Sequence, residues 1–355
     1  MGTSGVMDIV SVPEAIEWQA THAEKAGAPG TAQVVRSLLA LQESQAATAR
    51  RIFNWQGLSL RDAMPLRIAG GIHNLLLTGE EPRLADVYAG RMTAQDDVDA
   101  LVRDIVETHD ARLMPWLDGP PQTNEAGRSA SFAAGLLWLA DGRTTGQFEF
   151  LEIGASAGIN TMMGRYRYDL GGVHAGPQGS PMQIAPEWRG NPPPNAEFTF
   201  VAARGSDIAP VDLTDENEAM RLKSYVWPEA TGRMARIDAA IALARDEAPE
   251  LERMDAADWV ERELAREPQA GVTRVLAHSI MWQYLPDAAQ RRIETAAEAA
   301  GAAAPAESPF AHLSLETNRE TFAHELRVRY WPGGEEEVHL ANAHPHGAWV
   351  EWLGG

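Results

Sequence analysis

One stretch, Gln147 to Asn160, limits the folds open to this chain. It reads Gln-Phe-Glu-Phe-Leu-Glu-Ile-Gly-Ala-Ser-Ala-Gly-Ile-Asn. Phe148, Phe150 and Leu151 form a short, apolar, β-prone run, which predicts a strand. Gly154 and Gly158 then break the strand, and an apolar, helix-compatible segment reaches about Arg165. A strand, a small-residue turn and a helix N-terminus together present unpaired backbone N–H groups and the positive end of a helix dipole. The combination predicts a pocket for a polar or anionic ligand.

The chain before this stretch reads helical, and the chain after it reads as strands alternating with helices. Val34, Leu38, Leu39 and Leu41 recur at helical spacing, as do the apolar residues of Met64–Gly79 and Asp96–His109. Thr123 is placed to cap a helix running to about Ala140, with Asn124, Glu125 and Arg128 near its start. Beyond the turn, Val173–Asn195 is rich in Gly and Pro and reads as a long loop around Trp188. Later strands are expected at Phe198–Ala202, Leu251–Met254, Val272–Ala277 and Ala311–Leu315. A terminal hairpin turns at Pro332–Gly333–Gly334. The expected division is a helical domain over 1–117 and an α/β domain over 118–355.

Of 355 residues, 45% are hydrophobic and 23% charged, the balance of a globular chain. The formal net charge of −20 repels a phosphate backbone, so a nucleic-acid partner is not expected. The absence of cysteine excludes disulfides, thiolate catalysis and Cys-ligated metals, and fits a cytoplasmic protein. No apolar run is long enough for a membrane span. Met1–Val6 shows no signal peptide and no myristoylation pattern.

The glycine turn fits two enzyme motifs. Gly154-x-Ser156-x-Gly158 matches the nucleophile elbow of α/β-hydrolases, with His344 or His346 as the base. Glu152-x-Gly154-x-Ser156-x-Gly158 resembles the first motif of class I S-adenosylmethionine-dependent methyltransferases. Position and order favour the second. Helices, not strands or an oxyanion-hole segment, precede the turn, and five strands with helices between them and then a hairpin follow the methyltransferase plan. In that plan the last strand inserts antiparallel into a Rossmann-like sheet.

The resemblance implies S-adenosylmethionine as cofactor, held by Glu152, Gly154, Ala155, Ser156 and Gly158. It places Asp207 on the ribose hydroxyls, Asp255 and Ala256 beside the adenine, and His278 where cofactor and substrate meet. Ser156 stands in place of the usual middle glycine, and the gap from Gly158 to Asp207 is long. Pro121–Glu125, Leu151–Gly158, Asp207–Pro210, Ser224–Pro228, His278–Pro286 and His344–Gly347 together resemble a bacterial family of unknown function, numbered 2332. The acceptor is expected to be a small polar or anionic molecule, with Glu125, Arg128, Tyr168, His278 and Tyr284 as candidate catalytic residues. His278 would be the base, Arg128 the charge partner, and the loop around Trp188 a cover. A third reading is a non-catalytic cofactor-binding module. His344 and His346, two apart, suit hydrogen bonding, a base role, or metal ligation with His278.

Overall fold

The computed structural model describes residues 11–354. Met1–Val6, read above for targeting signals, lies outside them. The chain packs as two compact units. One runs to Thr123 and also takes in Asp215–Ala235; the other holds Asn124–Thr214 and the chain from Arg236 onward. Among the described residues no helix is long and apolar enough to cross a membrane.

The first unit is helical, as its periodicity predicts. Val12–Lys25, Pro29–Arg36, Met64–Leu77 and Gln95–Thr108 are its main helices. Ile16, Val34, Val35, Leu38, Ile68, Ile72, Val102 and Ile105 meet in one core. Asp215–Ala235 joins this unit, although its place in the sequence lies within the α/β part. A Cβ at Gly70 would stand 2.6 Å from the Tyr225 ring, so the glycine lets that aromatic close on the helix. Ser224 adds specific bonds: its carbonyl meets His73 Nδ1 at 3.0 Å, and its hydroxyl accepts from Asn74 Nδ2 at 3.0 Å.

The second unit contains, in chain order, β1 (Gln147–Ile153), β2 (Arg167–Leu170), β3 (Val173–Ala175), β4 (Gln183–Ile184), β5 (Glu187–Arg189), β6 (Thr199–Asp207), β7 (Glu250–Arg253), β8 (Thr273–Ser279), β9 (Phe310–Thr317), β10 (His324–Trp331), β11 (Gly334–Ala343) and β12 (Trp349–Trp352). Nine of them form one sheet in the order β5-β12-β11-β10-β9-β8-β1-β6-β7, and β3-β2-β4 form a small second sheet. The run from β7 through β6, β1 and β8 to β9 is parallel. The run from β9 to β12 is antiparallel, and β5 pairs parallel with β12. The fold is therefore mixed α/β with a mostly parallel large sheet.

Leu151, Ile153, Leu276 and Phe310 point to one face, where they pack with Trp259, Val260 and Ile293 from the helices Ala256–Leu264 and Asp287–Ala303. Strand alternation sends Phe148, Phe150 and Glu152 to the other face. There Phe132, on the helix Ser129–Ala140, meets Phe150 edge to face at 6.0 Å.

Four local expectations are corrected. The segment after the glycine turn is a 3-10 helix, Asn160–Arg165, so no α-helix dipole points at the turn. Glu125, not Thr123, begins the helical run to Ala140: its Oε1 accepts from Gly127 N at 3.0 Å, and a 3-10 turn leads into Ser129. Val173–Asn195 is not one continuous loop, because the short strands β3, β4 and β5 interrupt it and pair their backbone groups. The last strand does not insert. β10 follows β9 through the short Asn318–Ala323 connection and becomes its antiparallel neighbour, because so short a link cannot carry the chain past another strand. β11 and the unforeseen β12 then add outward.

Candidate functional site

The turn after β1 holds three residues in the left-handed region: Gly154 (φ 64°), Ser156 (φ 52°) and Gly158 (φ 68°). Their backbone bends so tightly because neighbouring elements hold it. Ala155 N donates to Ser206 O at 3.0 Å, and Val211 N donates to Ser156 O at 3.1 Å. Ser156 N donates to Asp207 Oδ2 at 2.9 Å, and Ile159 N donates to Asn124 Oδ1 at 2.8 Å. Gly158 N donates to Ala155 O at 2.8 Å. These N–H groups are spent inside the protein, which corrects the expectation of donors aimed at an anion. The glycines face protein as well. A Cβ at Gly154 would stand 2.7 Å from Met281 Cγ, and one at Gly158 would stand 2.8 Å from Pro249 Cβ.

What the turn leaves open is a pair of acceptors. Glu152 is 1% exposed at the end of β1. Its Oε1 accepts from Asn160 Nδ2 at 2.7 Å, while Glu152 Oε2 and Asn160 Oδ1 find no partner within the protein. The hydroxyls of Ser156 and Ser206 are likewise buried and unpartnered. Burial raises the Glu152 pKa to about 8; Asn160 and Arg128 pull it down and Asp207 pushes it up. Ionised, Glu152 would leave Oε2 and the neighbouring Asn160 Oδ1 as two acceptors short of N–H donors or positive charge, and that shortage, with burial, is why the carboxyl holds its proton near pH 7. The arrangement suits a ligand bearing an ammonium or another N–H-rich group.

Arg128, which acts on Glu152, also lies where separated motifs come together. Glu125 Oε1 accepts from Arg236 Nε at 2.7 Å. Arg128 Nε donates to Pro345 O at 2.8 Å. Gly127 and Gly347 pack so closely that a Cβ on Gly347 would stand 2.2 Å from the Gly127 carbonyl carbon. His346 N donates to His344 Nδ1 at 3.1 Å, and the two rings lie 5.7 Å apart. His324, at the start of β10, has its pKa lowered by burial and then by Arg128 and His344.

His278 belongs to a different cluster. It lies two residues from Leu276 and so projects from the face opposite Glu152. Its Nδ1 donates to Glu316 Oε1 at 2.8 Å, and its Nε2 meets His312 Nε2 at 3.1 Å. Trp282 stacks on the ring with centroids 4.7 Å apart. Glu316 Oε1 also accepts from the backbone N–H groups of Met281 and Trp282 at 3.2 and 3.3 Å. Burial, with His278 and Arg329 adding to it, lowers the His312 pKa to about 3. Both nitrogens of His278 are engaged within its own cluster.

The remaining candidates scatter. Asp207 shapes the turn through Ser156 N and, through Oδ1, takes Ala209 N at 2.8 Å. Asp255 caps the following helix, accepting from Ala257 N at 2.9 Å and Asp258 N at 3.2 Å, with Ala256 as its first residue. Tyr168 is buried, donates to Ser129 Oγ at 2.9 Å and has its pKa raised by burial. Tyr284 is 77% exposed. Trp188, on β5 at the far edge of the large sheet, packs against Trp352 with centroids 6.0 Å apart, so it is no cover for β1. Ser156 Oγ has no hydrogen-bond partner, and neither His344 nor His346 activates it. Among the described residues no three His, Asp or Glu side chains form a metal-holding group.

Sequence reasoning passed over Asn160, Ser206, Arg236, His312, Glu316 and His324. Asn160 carried a signal, a polar residue entering an apolar run directly after the turn. Arg236 carried none, since it sits in a charged helix far along the chain from Glu125.

The chain belongs to a bacterial family described as "uncharacterized protein conserved in bacteria (DUF2332)", whose model matches residues 13–352. No curated protein and no solved structure matches the chain.

Proposed function

We propose that this chain, as a member of that family, transfers a methyl group from S-adenosylmethionine to a small polar or anionic molecule. The observation that carries the reading is the buried, donor-hungry pair Glu152 Oε2 and Asn160 Oδ1 at the carboxyl end of β1. Counted along the chain, the parallel strands lie in the order third, second, first, fourth, fifth, with the reversal between β1 and β8. Ligands of open α/β sheets bind outside the carboxyl ends of strands at such a reversal. The antiparallel half departs from the methyltransferase plan, being a meander without an inserted strand.

When bound, the cofactor supplies an electrophilic methyl group. Glu152 and Asn160 would receive the N–H donors of its amino-acid end, and that positive charge would draw the Glu152 pKa back down. Asp207 spends one lone pair on each oxygen on the backbone and keeps acceptor capacity for a ribose hydroxyl. The chain's remaining part is to hold the acceptor in line with the methyl group and keep water away.

Calorimetry with S-adenosylmethionine and its demethylated product tests the reading. Binding in the micromolar range, weakened about tenfold or more by Asn160→Ala, is expected. No heat up to millimolar ligand defeats the reading. Binding without turnover on any acceptor leaves the non-catalytic module. Gly158→Val is unsuitable as a probe, because its side chain would strike Pro249 before any ligand.

A further inference from the structure

The large sheet ends in β5 on one side and β7 on the other. Both outer strands carry charge: Glu187 and Arg189 on β5, and Glu250, Glu252 and Arg253 on β7. Charges on an outer strand deter another chain from pairing with it. A further edge has no such guard. β6 pairs with β1 from Thr199 to Ser206, but β7 meets β6 only from Arg204 onward. Among the described residues no strand lies beside Thr199–Ala203 on the β7 side. That stretch reads Thr-Phe-Val-Ala-Ala and is uncharged, and Val201 in it is 46% exposed. Val201 also has no opposite residue on β1, where the register shifts between Phe148 and Glu149. Such a bulge bends the strand, so the open edge suits a short partner and not a long ladder.

The edge runs along a cavity of about 660 Å³. Ligand pockets are typically roughly 300–1,000 Å³. Phe198 and Phe200 of β6, Met162 and Met163 of the 3-10 helix Asn160–Arg165, and Pro249 give it apolar walls. Gly164 brings that helix close: a Cβ there would stand 2.6 Å from Phe200 Cδ2. The charged residues of the lining are Arg165, Glu247 and Glu250, a negative balance. Arg165 is already engaged. Its guanidinium donates to Leu243 O at 3.0 Å and to Glu247 O at 2.9 Å, and lies 3.6 Å from Glu247 Oε2. Glu250 is exposed.

We propose that the Thr199–Ala203 edge of β6 docks an extended peptide segment with apolar side chains at alternate positions and at least one lysine or arginine. The segment adds a short strand beside β6, so that its backbone N–H and C=O groups meet those of the open edge. Its alternate side chains enter the apolar cavity, and its basic group meets the acidic lining. At about 3.3 Å per residue, roughly five residues span the edge. A second copy of this chain is the poorer occupant. An edge that lies along a cavity does not reach its equal in another copy, and each copy would bring Glu247, Glu250 and a net charge of −20. The inference goes beyond the methyl-transfer reading and does not depend on it.

Fluorescence anisotropy with the full-length chain tests the groove. The probes are fluorescein-labelled peptides of about five residues, alternating valine and lysine, in both registers. Saturable binding in the micromolar to millimolar range is expected. N-methylation of alternate peptide N–H groups should weaken it about tenfold or more, because a methylated amide cannot donate to the edge. Glutamate in place of lysine should weaken it about as much. Hydrogen exchange should slow at Thr199–Ala203 when the lysine peptide binds. Val201→Lys puts a guarding charge at an exposed position, and Glu250→Gln removes an exposed carboxylate; each should weaken lysine-peptide binding, the first about tenfold. No saturable binding up to millimolar peptide overturns the inference, as does equal binding of the N-methylated or glutamate peptides. Sedimentation showing a dimer that Val201→Lys dissociates would give the edge to a second copy and overturn the peptide as occupant.

Discussion

Two buried ionisable clusters stand at the carboxyl ends of neighbouring strands and differ in one respect. On one face, Glu152 ends β1 with an unpartnered oxygen and a pKa raised to about 8. On the other face, His278 ends β8 with both ring nitrogens engaged and a tryptophan stacked on it. Position in the fold is nearly the same, since the two strands are paired. Satisfaction separates them. The His278 cluster closes its own hydrogen bonds and holds the segment from Met281 to Tyr284 in place. The Glu152 cluster is incomplete, and incompleteness in a buried polar group is what a ligand can repair.

Removing the hub of the closed cluster should have the largest effect. Glu316→Ala strips an acceptor from His278 Nδ1 and from the N–H groups of Met281 and Trp282. A loss of about 3 kcal/mol of stability is expected in denaturant titration. A loss within experimental scatter would show that the cluster does not depend on this acceptor and is not closed.

The two clusters should also oppose each other in pH dependence. Between 4.5 and about 8 the folded chain keeps a proton on Glu152 that the unfolded chain has lost, so stability falls as pH rises through that window. Glu152→Gln should match the parent in acid and exceed it above pH 8. His312 has the reverse sign. Its folded pKa, about 3, lies below 6.5, so stability is lost as pH falls through that interval. His312→Gln should flatten part of the acid limb only, because buried His73, lowered to about 4, contributes in the same direction. Thermal melts across pH read both, and a Glu152→Gln variant that keeps the alkaline decline refutes the assignment.

The smallest effect belongs to Ser156. Its hydroxyl has no partner and its backbone is left-handed, so Ser156→Gly should stabilise by about 0.5–1 kcal/mol. A fluorophosphonate probe should leave the parent unlabelled. Stoichiometric labelling that Ser156→Ala abolishes would restore the serine-nucleophile reading.

The strand β1 and its glycine turn were legible because they depend on local rules: alternation, strand propensity and glycine at positive φ. The same holds for the N-terminal helices and for strands such as β8, β9 and β10, whose apolar residues recur within each element. Glu152 was recognisable as a costly buried carboxylate at a strand end, and the motifs quoted for the family fall within residues that its model matches. By itself, then, the sequence determined the α/β class, the helical section and the place of the turn.

Tertiary structure alone decided which groups at that turn are spent. Whether Ser156 N points to a ligand or to Asp207 depends on β6 lying beside β1. Whether His278 faces Glu152 depends on the register between β1 and β8, and a one-residue change in pairing moves a side chain to the opposite face. The union of Arg236 with Glu125, or of Pro345 with Arg128, joins residues more than a hundred positions apart. No periodicity encodes such a pairing, because it arises only once the sheet has brought the chain back on itself.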